Sequence, residues 1–392
     1  MGIKVFWSWS SMFLYLVLGF LSMWMIYHTM KEEQRIGRTV SWNNKYLIIV
    51  SFIWTFIATF RLVNLYGVGG MDTMNYIMFF KNSNNQIYSG WMLHAGDNFL
   101  FKWINKTIRY MTSSYHVYFA IVYGFMAWAY LWFAAKFTPI KNNIIPYFLC
   151  FFLFWRSFLS LRSNLAIAFI MVGCVLMLEN KWRYVYLFAF MSGLIHKAAL
   201  PFVLVFPFVQ VFNKYKPNKW QILALIVVSS IVGVTFQSLF IDYSVTNDET
   251  HYSSYARSAS MGGGFWANSW KIAFEQIVLG VLMFFNENKI NELKLTSDVS
   301  TCNRINIVWL ICVFDMILIP MNHFFNIWRG YEFFYIPRIV MWGIILQLFF
   351  RKCHNVKGLI KFIIFLIFVA WFCFRVESMY EDSGLMPYIF DL

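Results

Sequence analysis

Two stretches of the chain carry residue types suited to work on a phosphate-bearing substrate. The first runs Leu161, Arg162, Ser163, Asn164, Leu165, Ala166, Ile167, Ala168, and about thirty residues later comes Gly193, Leu194, Ile195, His196, Lys197, Ala198, Ala199, Leu200. An arginine opening one helix and a histidine ending another, both on one side, would converge on a phosphate and a proton-transfer partner. The second stretch is Tyr66, Gly67, Val68, Gly69, Gly70, Met71, Asp72, Thr73, Met74, Asn75, Tyr76, where a carboxylate follows a glycine-rich turn. Around these motifs stand cations with no evident topological role: Arg61, Arg156, Arg162, Lys197, Arg257, Lys271, Arg329 and Arg338. Arginine forks suit bidentate contact with phosphate, and a lipid pyrophosphate would satisfy such a group. Arg338, beside Pro337 and about two turns inside an apolar segment, is the costliest to bury. Its plainer reading is a pair with Glu275, Asp315 or Glu332, just as Arg329 suits Glu332 at i, i+3. Tyr66, Tyr76, Trp91, Trp103, Tyr255, Trp266, Trp270 and Trp328 could stack on sugar rings, although interfacial belt residues look the same.

The elements that must position these residues lie in lipid. Of 392 residues, 60% are hydrophobic and only 13% charged, about half the charged share of a soluble domain. Apolar runs long enough to span a bilayer as helices number about twelve. They fall near 6–28, 46–63, 115–135, 144–161, 162–178, 184–196, 198–212, 220–241, 269–286, 305–321, 331–350 and 358–374. The sixth and seventh are short and broken by His196, Lys197, Pro201 and Pro207, so residues 184–212 could form a re-entrant hairpin. The fold expected is all-α: a single polytopic membrane domain over residues 1–392.

Basic residues alternate from loop to loop, as the excess of Lys and Arg on the cytoplasmic side requires. One set of loops holds eighteen of the 32 basic residues against six of the 18 acidic ones, a net +12, which leaves +2 of the total +14 elsewhere. That set marks the cytoplasmic face and puts both termini outside. The unassigned cations then all fall on the outer half. Two outer loops, 64–114 and 242–268, exceed what a hairpin needs. The first contains interfacial helical patterns at Asp72–Phe80 and Asp97–Met111. The second, with Tyr255, Arg257 and Gly262 to Gly264, has the composition of a mobile lid or of a plain connector. The basic residues sit between apolar runs rather than on one exposed face, which argues against nucleic acid. The six cysteines lack metal-ligand spacing, so no metal or cofactor is expected.

Both motifs resemble the EpsG family, a branch of the Wzy-type polysaccharide polymerases. In that family an Arg-x-x-Leu-Ala helix precedes one ending His-x-Ser-Ala. Here the matching residues are Arg162, Leu165 and Ala166, then His196, Lys197, Ala198 and Ala199. The glycine turn is similar to that family's Val-Gly-x-Asp-x-x-x-Tyr pattern, with Val68, Gly69, Asp72 and Tyr76 and one extra residue before the Asp. Where the family tends to place an arginine just before the turn, this chain has Leu65, with Arg61 about one turn earlier. An acidic residue expected later in the loop is replaced near His94 to Asp97.

The resemblance implies a metal-independent glycosyltransferase of O-antigen, capsule or exopolysaccharide synthesis, multi-pass in the bacterial inner membrane. Such an enzyme transfers a growing glycan from undecaprenyl pyrophosphate onto a lipid-linked repeat unit at the periplasmic face, with a flippase and a chain-length regulator as partners. On that reading Arg162, Arg329 and Arg338 hold the donor pyrophosphate, while Arg61, Arg156, Lys197, Tyr255 and Arg257 line the substrate. Asp72 and His196 are both candidates for the base, Asp72 being favoured, with His196 then contacting phosphate or acceptor.

Three rivals remain. A lipid-linked oligosaccharide flippase should show two related halves and central charges open to both faces, yet the cations crowd one side and no internal repeat is found. A multi-span glycosyltransferase using a lipid-phosphate sugar is nearer in chemistry. A membrane O-acyltransferase would need an early outward histidine, whereas His28 falls on the cytoplasmic side.

Overall fold

The computed structural model describes residues 8–37, 39–63, 69–70, 72–84, 98–139, 142–215, 217–246, 270–324, 328–352, 357–379, 384–386 and 388–391, with 236–246, 270–272, 323–324, 328–329, 352 and 357 described by backbone alone. Among them no strand forms, and a single isolated bridge pairs Arg61 with Phe390. Helices lie on each of the twelve apolar segments. Among the described residues six are long and apolar enough to cross a membrane: Trp9–Ile36, Tyr115–Phe137, Leu161–Leu178, Lys197–Tyr215, Val299–Asn322 and Gly358–Glu377. The chain is thus an all-helical membrane protein. It divides into two compact units, Met1–Val203 with Phe349–Leu392, and Leu204–Leu348.

The first unit begins with α1 (Trp9–Ile36), opened by the Ser8 hydroxyl, which accepts the Ser11 amide, and closed at Gly37 in the left-handed region. Then follow α2 (Lys45–Thr59), α3 (Thr73–Asn82), α4 (Phe99–Met111), α5 (Tyr115–Phe137), α6 (Cys150–Arg156) behind a 3₁₀ turn, α7 (Leu161–Leu178), α8 (Trp182–Ile195) and the short α9 (Leu200–Val203). α7 is the inner helix, 83% buried, whereas the chain's last helix over Gly358–Glu377 is 22% buried. An apolar helix left that bare needs lipid around it. Tyr15, Trp54, Phe151 and Phe154 pack ring against ring across α1, α2 and α6. α3 and α4, found where helical spacing predicts them, join through Phe79 stacked on Phe101 at 5.4 Å. α4 buries Phe101, Asn105 and Ile108 and exposes Phe99, Trp103 and Tyr110, a two-faced helix.

In the second unit come α10 (Val205–Tyr215), α11 (Lys219–Thr246), α12 (Trp270–Leu295), α13 (Val299–Phe324) and most of α14 (Tyr335–Lys352); the residues from Phe349 on, with α15 (Lys357–Glu377), are counted with the first unit. α13 starts on an Asp298 cap, whose Oδ2 accepts the Thr301 amide at 3.1 Å, and contains Pro320 within its last turns. The expected lid over 242–268, with Tyr255 and Arg257, lies outside the described residues apart from the last turns of α11.

Candidate functional site

The turn before Asp72 is built on two glycines. Gly69 and Gly70 have φ of +82° and +116°, and a Cβ on Gly69 would stand 2.0 Å from the Leu62 carbonyl oxygen, one on Gly70 2.5 Å from that of Phe158. Only glycine fits both the dihedrals and the space. Arg61, fully buried, ties the turn down: its Nε donates to Gly69 O at 2.8 Å and Nη2 to the Tyr123 hydroxyl at 2.7 Å, with Nη1 on Ala58 O. The guanidinium lies 4.4 Å from the Phe158 ring centre and 4.8 Å from that of Tyr123. Expected among the substrate cations, Arg61 here gives its donors to backbone and tyrosine and acts as an internal brace. The Thr73 hydroxyl then donates to Phe158 O at 2.6 Å. Asp72, half-buried at the start of α3, is thereby fixed beside the segment Arg156–Ser160 that leads into α7.

Arg162 and His196 come together through an antiparallel hairpin. α7 and α8 are joined by Glu179, Asn180 and Lys181, with Asn180 at φ 55°, a conformation asparagine tolerates. Lys181 and Lys136 meet Glu179 at 2.7 and 3.3 Å. Burial alone would raise the Glu179 carboxyl's pKa, but the two lysines outweigh it and hold the group below its ordinary range. Toward the other end the Ser192 hydroxyl donates to Ala166 O at 3.0 Å. Arg162 is one turn before Ala166 and His196 one turn after Ser192, so on antiparallel helices both sit at the same end. The chain breaks helix at His196 (φ −150°) and enters the 3₁₀ turn Lys197–Ala199, which packs on α7. Asn98, leading into α4, accepts the Lys197 amide at 3.2 Å. His196 is half-buried and Lys197 exposed.

The first turn of α7 carries Arg162 and no acid. A helix N-terminus already favours negative charge, so a cation there adds to an anion-attracting end. Arg156 is buried at the end of α6 with Nη1 3.5 Å from Met379 Sδ. Just inside, Asn164 is held by Ser160 at 2.8 Å and by the Tyr130 hydroxyl.

A strap of the C-terminal tail closes this end of the unit. The Leu62 amide donates to Ile389 O, the Asp391 amide to Phe60 O and the Gly69 amide to Gly384 O, at 2.7, 2.7 and 2.8 Å. Tyr15 donates to Leu385 O at 2.6 Å. The Tyr388 hydroxyl donates to Ile57 O, and partial burial raises its pKa. Nothing in the motif spacing signals this strap.

In the second unit Arg338 pairs with Asp315 at 3.0 Å, both side chains 2% exposed. Gln276 Nε2 donates to the other carboxylate oxygen at 2.6 Å, and Arg338 Nη2 reaches Tyr331 O. Of the three partners that spacing allows, Asp315 makes a direct ion pair with Arg338. Arg329 lies in the 3₁₀ turn Trp328–Glu332, its side chain outside the described residues. That turn presses on α13: a Cβ on Gly330 would stand 2.3 Å from Asn322 Oδ1.

An all-helical membrane protein with an anion-attracting helix start, a histidine break and a glycine-turned carboxylate at one end is therefore in hand. The EpsG family model matches residues 44–390, nearly the whole chain. The protein belongs to the EpsG family, a family of Wzy-like polymerases of polysaccharide biosynthesis. No curated protein and no solved structure matches it.

Proposed function

We propose that this protein elongates a surface polysaccharide by moving a glycan from undecaprenyl pyrophosphate onto the sugar hydroxyl of a second lipid-linked repeat unit. The reading places the reaction at the periplasmic face of a bacterial inner membrane, with about twelve crossings and both termini periplasmic. It rests most on one observation: Arg162 and His196 share an end of the α7–α8 hairpin, and the Thr73–Phe158 bond ties Asp72 to the turn before α7.

In this scheme the donor's anomeric carbon–oxygen bond breaks, and undecaprenyl pyrophosphate leaves with the bonding electrons. Arg162 and the N-terminal end of α7 neutralise that growing charge, a contribution that acts in the transition state more than in the bound substrate. Lys197 and Arg156 add positive field. Asp72 takes the proton of the acceptor hydroxyl as the new carbon–oxygen bond forms, and His196 contacts phosphate or acceptor. Arg61 supports the turn. Arg338 is spent on Asp315, so it steadies the helices around the turn that carries Arg329, which remains a donor-phosphate contact. A flippase supplies both lipid-linked units, and a chain-length regulator sets how far the polymer grows.

The test is reconstitution of the purified protein with lipid-linked repeat units. Wild type is expected to yield a ladder of polymers. Asp72→Asn is expected to bind the units yet form no dimer, and a full ladder from both Asp72→Asn and His196→Ala would remove the assignment.

A further inference from the structure

The second unit holds a groove unrelated to the site above. It is a cavity of 410 Å³ between α11, α12 and α13, lined almost entirely by apolar side chains. The volume is that of a small-molecule site. From Gln276 at one end to Glu287 at the other, eleven residues of α12 at 1.5 Å each give a length of about 16 Å. That is close to one leaflet's share of a hydrocarbon core about 30 Å thick. Its walls are open to the surroundings, with Ile277 and Val281 42% and 49% exposed.

The two ends differ in chemistry. Gln276 closes one, its amide drawn toward Asp315. At the other stand Lys219, which opens α11, and Glu287, both lining the groove and both half-buried. Lys219 Nζ rests 5.5 Å from the Phe284 ring centre. Among the described residues no ion pair joins Lys219 to Glu287. Two opposite charges at one mouth, not spent on each other, complement a head group that itself carries both signs. This mouth is also the end where the connection between α10 and α11 and the close of α12 bring Lys214, Lys289 and Lys294.

We propose that this groove binds one phospholipid of the cytoplasmic leaflet whose head joins a phosphate to a primary ammonium. An acyl chain fills the apolar length, Lys219 meets the phosphate and Glu287 meets the ammonium. The assignment stands apart from the polymerase reading, since it involves none of the residues given to glycan transfer.

Native mass spectrometry of the full chain, released from vesicles of equal parts phosphatidylethanolamine and phosphatidylglycerol, tests it. Wild type is expected to retain one phosphatidylethanolamine in preference to phosphatidylglycerol. Glu287→Gln is expected to cut that preference by about fivefold, the most an exposed charge pair gives, while Lys219→Gln weakens retention of both lipids. Ile277→Trp, which fills the groove from its exposed wall, is expected to abolish the adduct while leaving the melting temperature in detergent within a few degrees. Equal retention of the two lipids, an adduct untouched by Ile277→Trp, or a polyprenyl chain in place of the phospholipid would each overturn the assignment.

Discussion

The Thr73 hydroxyl donates to the Phe158 carbonyl across 2.6 Å and 85 residues of sequence. That bond joins the carboxylate-bearing start of α3 to the turn from which α7 and Arg162 begin. Removing it should move Asp72 more than it unfolds the chain. Thr73→Val is expected to lose about 1 to 3 kcal/mol, because a buried carbonyl is left without its donor. The observable is turnover on lipid-linked units, with kcat falling and KM for the donor little changed, and with Thr73→Ser restoring most of the rate.

Glycines in this chain differ in what they are for. Gly37 and Gly69 both have positive φ, yet a Cβ on Gly37 meets nothing within 4 Å while one on Gly69 would meet the Leu62 carbonyl oxygen at 2.0 Å. Gly37→Ala should cost about 1 kcal/mol, the dihedral penalty alone. Gly69→Ala should displace the turn and stop polymer formation. Thermal melting of the two variants in detergent, alongside polymer length in cells, separates the two effects.

A buried pair broken on one side leaves a bare charge. Asp315→Asn is expected to destabilise the protein by about 3 to 5 kcal/mol, since Arg338 would then be buried without its counter-ion. Replacing both, Asp315→Leu with Arg338→Met, should recover much of that loss. Fluorescence-detected gel filtration after a heating step reads the order wild type, double variant, single variant.

Glu179 gives a pH dependence with a definite sign. Its folded pKa lies below the unfolded value because Lys181 and Lys136 outweigh the opposing effect of burial. The stabilisation is therefore present above the unfolded carboxylate pKa and is lost as pH falls through the folded one. Melting temperature should drop on acidification through that window in wild type, and the drop should be smaller in Glu179→Gln.

How much of this was legible beforehand depends on the range of the contacts. Arg162 and His196 could be matched because one hairpin brings them together and helix period fixes which turn each occupies. Arg338 announced itself through cost, and the candidates for its partner followed from the few acids nearby. The role of Arg61 was not legible: a cation near an outer loop reads as a ligand contact until Gly69, Ala58 and Tyr123 are found around it. Thr73 was hidden for the same reason, its partner lying far along the chain. The tail strap was least visible, since Leu62–Ile389 and Asp391–Phe60 are backbone bonds that leave no mark in residue type. Truncation after residue 383 is accordingly expected to loosen the Gly69 turn and shorten the polymer while the protein still reaches the membrane, as judged by blotting of membrane fractions.

The central claim, that this chain polymerises through an arginine opening α7, is tested most directly by gel analysis of surface polysaccharide from cells lacking the gene, complemented with wild type or with Arg162→Ala. The account predicts a single core-plus-one-unit band in the deletion, a full ladder restored by wild type, and no ladder from Arg162→Ala at equal membrane abundance. Loss of all exported units from the deletion, with precursor building up on the cytoplasmic side, would contradict it and make the protein a transporter of its substrate.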